Sequence, residues 1–268
     1  MRKELRMRGI LAKPVQQPVK TVPQHTIVAI EGRLGLQPMS NEPVEQAEHA
    51  VNMGMQKFKI RLTRTDDHTQ SASVLIRKMY SWRGYVTSAT PVEHTPNKIC
   101  LSVFSKEQII GTLTLGHDAP EGLAADAMYK PEVDALRSAG RVVCEMTKLA
   151  VDQCVRSRKV LASLFHIAYI HARHLHGCTD ILIEVNPRHV GFYERMLGFR
   201  RVGEERLCPR VNAPAVLLRL ETDYVEIQIR KFGGLMETAT GEKSLYPYFF
   251  TAADESGIAQ RLLESKQS

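Results

Sequence analysis

Residues 181–199 read ILIEVNPRHVGFYERMLGF, and this stretch decides the fold. It begins with a run of branched aliphatic side chains, which is typical of a strand buried on both faces. An Asn-Pro pair ends the run, and a short amphipathic segment then continues as far as Gly198. We therefore predict a buried strand over 179–185 and a helix over 188–197, with Tyr193 on the first helix after the strand.

The segments on either side extend this strand-helix pattern. Residues 157–176 carry apolar side chains at helical spacing and are followed by Gly177, while 141–151 reads as a strand. Further strands are predicted over 57–63, 98–104, 108–115, 199–207 and 214–220, and further helices over about 68–82, 129–140, 221–231 and 253–265. Strands that alternate with helices indicate a mixed α/β fold.

The domain organisation follows from where this pattern begins and ends. Residues 1–55 are rich in Pro and Gln and lack sustained periodicity, so we predict a disordered, basic N-terminal extension. Residues 56–250 form the main domain, and 251–268 form a C-terminal helix.

The net charge of +7 comes mostly from the N-terminus, because residues 1–20 hold six Lys or Arg and one Glu. Such a segment is either a basic tail surrounded by solvent or a segment that attracts an acidic partner, such as nucleic acid, anionic lipid or a small acidic carrier protein. No helix-turn-helix, RNA-binding or zinc-finger pattern supports nucleic acid, so we predict no nucleic-acid partner.

The apolar and cysteine patterns favour a cytoplasmic protein. No apolar run approaches the roughly 20 residues of a transmembrane helix, so we predict no transmembrane segment. Five cysteines are spread along the chain without a CxxC pair, which indicates reduced thiols. Four histidines, at 166, 171, 174 and 176, have no carboxylate among them, so we predict no metal site.

Four blocks of sequence carry a resemblance to a known family: GTLTLGHDAPEGLAAD (111–126), CEMTKLAVD (144–152), EVNPRHVGFYERMLGF (184–199) and CPRVNAPAVLLRL (208–220). In this order they resemble the long-chain N-acyl amino acid synthases. These enzymes belong to the GNAT superfamily of N-acyltransferases and are related to the acyl-homoserine-lactone synthases. The resemblance covers about residues 57–250.

The resemblance implies both a fold and an activity. The fold is GNAT-like, with a central, mixed, twisted sheet flanked by helices, two splayed parallel strands, and a strand bulge that turns a backbone N–H toward the thioester. The activity is transfer of a long-chain fatty acyl group to the α-amine of an amino acid. The donor is carried on the phosphopantetheine arm of acyl carrier protein, and no cofactor is bound.

Two residues are implied to be catalytic. Glu145 shares a strand face with Thr147, in a pattern similar to a Glu-x-Ser/Thr-Arg strand of the related lactone synthases, although Lys148 stands where they have Arg. We expect Glu145 to act as a base or to orient the amine, with Thr147 in the substrate pocket; the alternative is a structural carboxylate. Tyr193 matches a tyrosine that protonates the leaving thiolate, or else it only packs the helix onto the sheet.

Other residues are expected to bind substrate. Asn186 would contact the pantetheine amides or cap the following helix. Glu184 is a second carboxylate near the site. Trp82 and Tyr85 either line an acyl or acceptor pocket or simply cover the sheet.

The turn before the long helix departs from the acetyl-CoA-dependent members of the superfamily. Those enzymes have glycines here that cradle a pyrophosphate, whereas DQCVRSRKVLAS (152–163) has none. We expect Ser157, Arg158 and Lys159 to hold the single phosphate of a carrier arm and Arg156 to meet acidic carrier side chains. The alternative is a solvated, basic helix start.

Other functions stay open at this point. An acyl-homoserine-lactone-type or acyl-polyamine signal synthase would use similar chemistry on another amine. A non-catalytic module that binds an acyl group or carrier protein would need neither Glu145 nor Tyr193, and both are present.

Overall fold

The computed structural model describes residues 26–32, 56–85, 95–153, 155 and 157–267. Its strands are β1 (Thr26–Gly32), β2 (Gln56–Leu62), β3 (Lys98–Ser105), β4 (Gln108–His117), β5 (Val143–Val151), β6 (Asp180–Val185), β7 (Arg200–Arg201), β8 (Arg206–Cys208) and β9 (Ala213–Glu221). Its α-helices are α1 (Asp66–Trp82), α2 (Asp126–Ser138), α3 (Arg158–Ile170), α4 (Val190–Leu197), α5 (Thr222–Phe232) and α6 (Ala252–Gln267). Short 3₁₀ turns precede α4 at Pro187–His189 and α6 at Tyr246–Tyr248.

The strands form one mixed sheet in the order β1-β2-β3-β4-β5-β6-β9-β7, with β8 paired to β9. Only β5 and β6 run parallel among the described strands. The chain joins them through α3, because a parallel pair needs a long crossover. The predicted mixed α/β fold is confirmed.

The parallel pair separates partway along its length. Its pairing ends at Glu145 and Leu182, although β5 continues to Val151 and β6 to Val185. The neighbouring β4–β5 ladder contains a bulge at the same level. Its register passes from Thr114–Thr147 to Thr112–Ala150, so two residues of β5, Lys148 and Leu149, stand opposite Leu113 of β4.

Lys148, at that bulge, has a φ of 52°, a left-handed conformation that is uncommon for a lysine. The hydroxyl of Thr112 donates to the carbonyl of Lys148 at 3.1 Å and holds the bulge. The splayed strands expected for this fold are therefore present.

Helices cover both faces of the sheet. On one face, α1 packs on Cys100 and Ala150, and α2 packs on Leu182. On the other face, α3, α5 and α6 enclose the main core around Ile181 and Ile183. Each fully buried aliphatic side chain contributes roughly 1.5–3 kcal/mol, so these clusters hold the sheet rigid around the splayed strands.

The predicted N-terminal extension is wrong for Thr26–Gly32. This segment forms the edge strand β1, which pairs antiparallel with β2 and buries Ile27 and Ile30 in the main core. It is a short strand inside a Pro- and Gln-rich segment, so its periodicity is too brief to stand out from its surroundings. The rest of residues 1–55 lies outside the described residues.

Two smaller predictions also differ from the structure. The first helix, predicted to begin at about residue 68, begins at Asp66 and is capped by Thr65, whose hydroxyl accepts the His68 N–H at 3.4 Å. The strand predicted over 199–207 is two short strands interrupted at Gly203. A Cβ at Gly203 would lie 2.7 Å from the Tyr129 ring, which shows how closely the chain passes α2 there.

Candidate active site

A cavity of about 530 Å³ opens where β5 and β6 separate. One part of its wall is polar and contains Lys98, Ala124, Glu145, Glu184 and Arg210, which we call the polar region. Another part is apolar and contains Leu113, Leu149, Leu161, Phe165, Val185 and Phe192, which we call the apolar region.

The two regions lie on opposite faces of the sheet. Strand side chains alternate, and Leu182 packs with α2 whereas Ile183 and Val185 pack with α3. Glu184 therefore faces the α2 side, and so does Glu145. The cavity thus passes through the sheet, with charged groups at one side and hydrocarbon at the other.

Glu145 lies in the polar region and is only 3% exposed. Its Oε1 accepts the Ala124 N–H at 2.7 Å and its Oε2 accepts the Ala125 N–H at 3.0 Å. Burial raises the pKa of Glu145, while those two hydrogen bonds and the charges of Arg210 and Lys98 oppose the rise. A raised pKa makes the carboxylate a stronger base than an ordinary glutamate.

Ion pairs hold in place the loop before α2, whose backbone N–H groups bind Glu145. Arg137 on α2 contacts Asp118, Asp126 and Asp134, each at 2.7 Å. Asp126 also accepts the N–H of Leu123 at 2.7 Å, which closes the turn before α2. These contacts hold the backbone donors of Ala124 and Ala125 in position against Glu145.

Glu184 and Arg210 form an ion pair in the polar region. Arg210 also donates to the Ala124 carbonyl at 2.6 Å, so it ties the Glu145-binding loop to β6. The Oε1 atom of Glu184 is buried and has no hydrogen-bond partner among the described residues. Our sequence-based prediction included Glu184 but missed Arg210, although Arg210 lies within one of the family-like blocks.

Thr147 lines the cavity, half-buried and two residues beyond Glu145 on β5. Because the bulge follows immediately, Thr147 is the last β5 residue in regular pairing with β4 before the register shifts. Thr147 therefore lies between the last residue of β5 that pairs with β6, Glu145, and the bulge in the β4–β5 ladder.

Tyr193 lies on α4 and lines the cavity on the apolar side. Its ring meets Phe165, Phe192 and Phe199 edge to face, at centroid distances of 6.4, 5.3 and 5.8 Å. Burial raises the pKa of Tyr193, so the phenol stays protonated. The hydroxyl makes no hydrogen bond to any residue that the structure describes, so its donor is not committed to another protein group.

The position of Tyr193 depends on where α4 ends. Gly198 terminates the helix with a φ of 82°, a left-handed conformation that favours glycine. A Cβ there would also lie 2.3 Å from the Tyr224 ring. The Leu-Gly-Phe sequence therefore fixes the helix end that positions Tyr193.

Asn186 shows the capping interaction that was one of its two predicted roles. Its Oδ1 accepts the Arg188 N–H at 3.2 Å, and its Nδ2 donates to the Pro214 carbonyl at 3.2 Å. These bonds join the end of β6 to β9 at the cavity wall.

Arg83 and His189 line the cavity, and Arg188 lies beside them and donates to the Arg83 carbonyl; we call these three residues the basic rim. Arg188 donates to the Tyr85 hydroxyl at 3.1 Å and lies 5.4 Å above its ring. Burial and the charges of Arg188 and Arg83 lower the pKa of His189, so its imidazole tends to be neutral.

The prediction that Trp82 lines the pocket is wrong. Its side chain is 65% exposed and does not contribute to the cavity wall. Tyr80 and Tyr85, which flank it in sequence, line the cavity instead. Each helical residue is rotated by about 100° from the next, so neighbours at the end of α1 face different environments.

The proposed phosphate-binding residues lie at the start of α3. Ser157 caps the helix, because its Oγ accepts the Val160 N–H at 3.3 Å. Arg158 is exposed and Lys159 is half-buried, and Leu161, one turn on, lines the cavity. Arg156 lies outside the described residues. The basic start of α3 is therefore next to the cavity but does not form its wall.

Two further features are absent from the described residues. They include no group of three His, Cys, Asp or Glu arranged to hold a metal ion. No described helix is both long and apolar enough to cross a membrane.

The chain is similar to known proteins in sequence and in structure. A family model described as N-acyl amino acid synthase FeeM matches residues 71–221, which is more than half of the chain. The structure of FeeM, an N-acyl amino acid synthase from uncultured soil microbes, matches with a TM-score of 0.57 and 25% identity, over 63% of this chain and 93% of that chain. No curated protein matches the chain in sequence.

Two further structures match less closely. An acyl-CoA N-acyltransferase from Pseudomonas aeruginosa has a TM-score of 0.44 and 15% identity, over 60% of this chain and 97% of that chain. BjaI, a CoA-dependent acyl-homoserine lactone synthase, has a TM-score of 0.44 and 11% identity, over 60% of this chain and 78% of that chain.

Proposed function

Because the chain belongs to the N-acyl amino acid synthase FeeM family and is an N-acyltransferase, we propose a specific reaction for it. In this reaction the enzyme moves a long-chain fatty acyl group from acyl carrier protein to the α-amine of an amino acid. The observation that carries the proposal is the cavity between the splayed strands, with carboxylates on one face and hydrocarbon on the other. An acyl thioester and a charged acceptor can meet there from opposite sides of the sheet.

The proposed reaction needs a base and an acid. The acceptor ammonium loses a proton to Glu145, directly or through water, and the neutral nitrogen forms a bond to the thioester carbon. The C–S bond then breaks, and the thiolate takes a proton from the Tyr193 hydroxyl. The nitrogen loses its second proton as the amide forms, so each turnover gives one amide, one thiol and one released proton.

The oxyanion of the tetrahedral intermediate needs a hydrogen-bond donor. We assign this role to the backbone at the β5 bulge, because Lys148 and Leu149 leave the regular ladder beside the cavity. A donor on a rigid strand costs little reorganisation during the reaction.

Two features support a carrier-protein donor over CoA. The turn before α3 has no glycine for a pyrophosphate cradle. Arg158 and Lys159 follow the Ser157 cap, so a single phosphate would meet a helix N-terminus and two cations. The two arginines of the basic rim, Arg83 and Arg188, add positive charge that an acidic carrier protein would meet.

We propose the cytoplasm as the compartment, where acyl carrier protein would be available as a partner. Cys100, Cys144, Cys178 and Cys208 are buried free thiols, which suits a reducing compartment.

Mass spectrometry of lipid extracts tests the reaction. Bacteria that express the chain are expected to contain new species with the mass of a fatty acyl group plus an amino acid, and cells that express Glu145→Gln are expected to lack them. Acylated polyamines or lactones in their place would reassign the acceptor. A well-folded protein that yields no acylated amine would contradict the proposed function.

A further inference from the structure

The polar region contains one buried acceptor atom that the fold does not use. Glu184 is 10% exposed at its side chain, and its Oε1 has no hydrogen-bond partner among the described residues. A buried carboxylate oxygen without a donor is costly, so such an atom at a cavity wall marks a place where a ligand supplies the donor. Both oxygens of Glu145, in contrast, already accept backbone N–H groups.

Arg210 adds a positive group directly beside that atom. It uses one donor on Glu184 and one on the Ala124 carbonyl, and a guanidinium has five N–H donors in all. The cavity wall therefore presents an anion and a cation side by side. An α-amino acid has an ammonium and a carboxylate on the same carbon, which is the complementary arrangement of charge.

We propose that the Glu184–Arg210 pair is the acceptor-recognition site: Glu184 Oε1 accepts the α-ammonium of the amino acid, and the remaining donors of Arg210 bind its α-carboxylate. This assignment rests on the proposed function. It gives the two carboxylates separate roles, since Glu184 binds the acceptor and Glu145 takes its proton.

The assignment makes the enzyme selective for amino acids over simple amines. An amine without a carboxylate leaves the Arg210 donors unpaired, and a hydroxy acid without an ammonium leaves Glu184 Oε1 unpaired. A buried group such as Glu184 Oε1 disfavours an analogue that leaves it unsatisfied, and Arg210, whose side chain is 32% exposed, adds selectivity through its charge. Recognition of the amino acid therefore requires both residues.

A second Glu–Arg pair provides a matched control. Arg206 pairs with Glu132 of α2 and donates to the Met128 carbonyl, just as Arg210 pairs with Glu184 and donates to the Ala124 carbonyl. Neither Glu132 nor Arg206 lines the cavity. Glu132→Gln therefore breaks a similar ion pair without touching the proposed site.

Calorimetric titration of the full chain tests the proposal without requiring turnover. The standard L-α-amino acids are titrated one at a time, with an acyl-pantetheine thioether present to occupy the donor side. The best ligand is then compared with its decarboxylated amine and its α-hydroxy acid. The wild type is expected to bind the amino acid and discriminate against both analogues. Glu184→Gln and Arg210→Met are each expected to weaken binding by about tenfold or more, as for loss of a charge-assisted hydrogen bond, while Glu132→Gln binds like the wild type.

Glu184→Gln leaves Arg210 without its partner, so its folding is checked by thermal unfolding. The double variant Glu184→Gln with Arg210→Met removes both charges and leaves no unpaired one, and it is also expected to lose binding. Full affinity in either the single or the double variant, or no binding of any amino acid by the wild type, would overturn the assignment. Binding that needs Glu184 in a protein that transfers no acyl group would retain the assignment and reject the proposed reaction.

Discussion

At the scale of single residues, the neighbours of each carboxylate decide what it can do. Glu145 accepts two backbone N–H groups, which hold it rigidly, and burial raises its pKa. The Oε2 atom of Glu184 pairs with Arg210, whereas its Oε1 atom has no hydrogen-bond partner among the described residues. Two glutamates on the same sheet face therefore have different chemistry.

Replacement of Glu145 by Gln tests its role as the base. We expect kcat to fall by about 100-fold, because general-base catalysis contributes about 10²–10⁴-fold. The fold should be retained with a loss of about 1–3 kcal/mol, since the amide oxygen keeps one backbone hydrogen bond while the amide NH2 faces the other backbone N–H. Steady-state kinetics and thermal unfolding measure both effects.

The pH dependence gives a second readout for Glu145. A base with a raised pKa is protonated and inactive below that pKa, so the wild-type rate should rise with pH through a value above the usual 4.5 of glutamate. This part of the profile should vanish in Glu145→Gln. Equal rates and identical pH profiles in the two proteins would remove Glu145 from the mechanism.

Replacement of Tyr193 by Phe tests proton donation to the thiolate. We expect kcat to fall by about 100-fold or more with an alkyl thioester, since general acid catalysis contributes about 10²–10⁴-fold. The deficit should shrink with an aryl thioester, whose more acidic thiol leaves without a proton.

Tyr224→Phe is the control for Tyr193, because Tyr224 contacts Gly198 at the end of the same helix but lies outside the cavity. A deficit in Tyr193→Phe that is the same for both thioesters would indicate a packing role alone.

At the scale of elements, the separation of β5 and β6 creates the site. The parallel pairing ends at Glu145, the bulge follows at Lys148, and the chain beyond each strand end turns onto α3 or α4. The sequence predicted these strands and helices closely, because each has a clear period of apolar residues. The end of α1 was less predictable. Adjacent helical residues point about 100° apart, so an error of one residue in the helical position changes whether Trp82 faces the cavity or the solvent.

The start of α3 is tested by charge reversal. Arg158→Glu with Lys159→Glu should raise the KM for acyl carrier protein by about tenfold, because like charges then face the phosphate and the acidic carrier. The KM for a short acyl-pantetheine thioester without phosphate or protein should stay the same.

Arg230→Glu with Lys231→Glu is the matched control, since it reverses two adjacent, exposed basic residues on α5. An unchanged carrier KM in the α3 variant would exclude this surface from docking.

At the scale of the whole molecule, α6 closes the main core. Glu255 of α6 contacts His166 at 2.9 Å and His174 at 2.6 Å. His166 also accepts the Phe250 N–H at its Nδ1, so its Nε2 carries the proton that it donates to Glu255. Burial lowers the pKa of His166, which keeps it neutral. His166 and His174 therefore hold the C-terminal helix in place.

Replacement of Glu255 by Gln should lower the free energy of unfolding by about 1–3 kcal/mol at neutral pH, because two buried hydrogen bonds to a charged acceptor are weakened. Burial raises the pKa of Glu255, but the bonds from His166 and His174 outweigh it and lower the pKa to about 2. A lowered pKa stabilises the fold above the unfolded value of 4.5, and this stability is lost as the pH falls toward 2.

Urea unfolding at several pH values measures this effect. The difference between the wild type and Glu255→Gln should be full at pH 7 and shrink below about pH 4.5. Glu264→Gln, on the exposed side of α6, is the control. A difference that does not vary with pH would contradict the role of the Glu255 charge.

The sequence by itself determined the mixed α/β fold, and the blocks that carry the family resemblance pointed to Glu145, Thr147 and Tyr193 as candidate site residues. These follow from local information: apolar periods, helix-ending glycines and blocks of adjacent residues. Only the tertiary structure decided the pairing of Arg210 with Glu184, the hydrogen bonds between Glu255 and two histidines, and the edge strand β1. Each joins residues far apart in the chain, and which of them meet depends on the order of strands in the sheet.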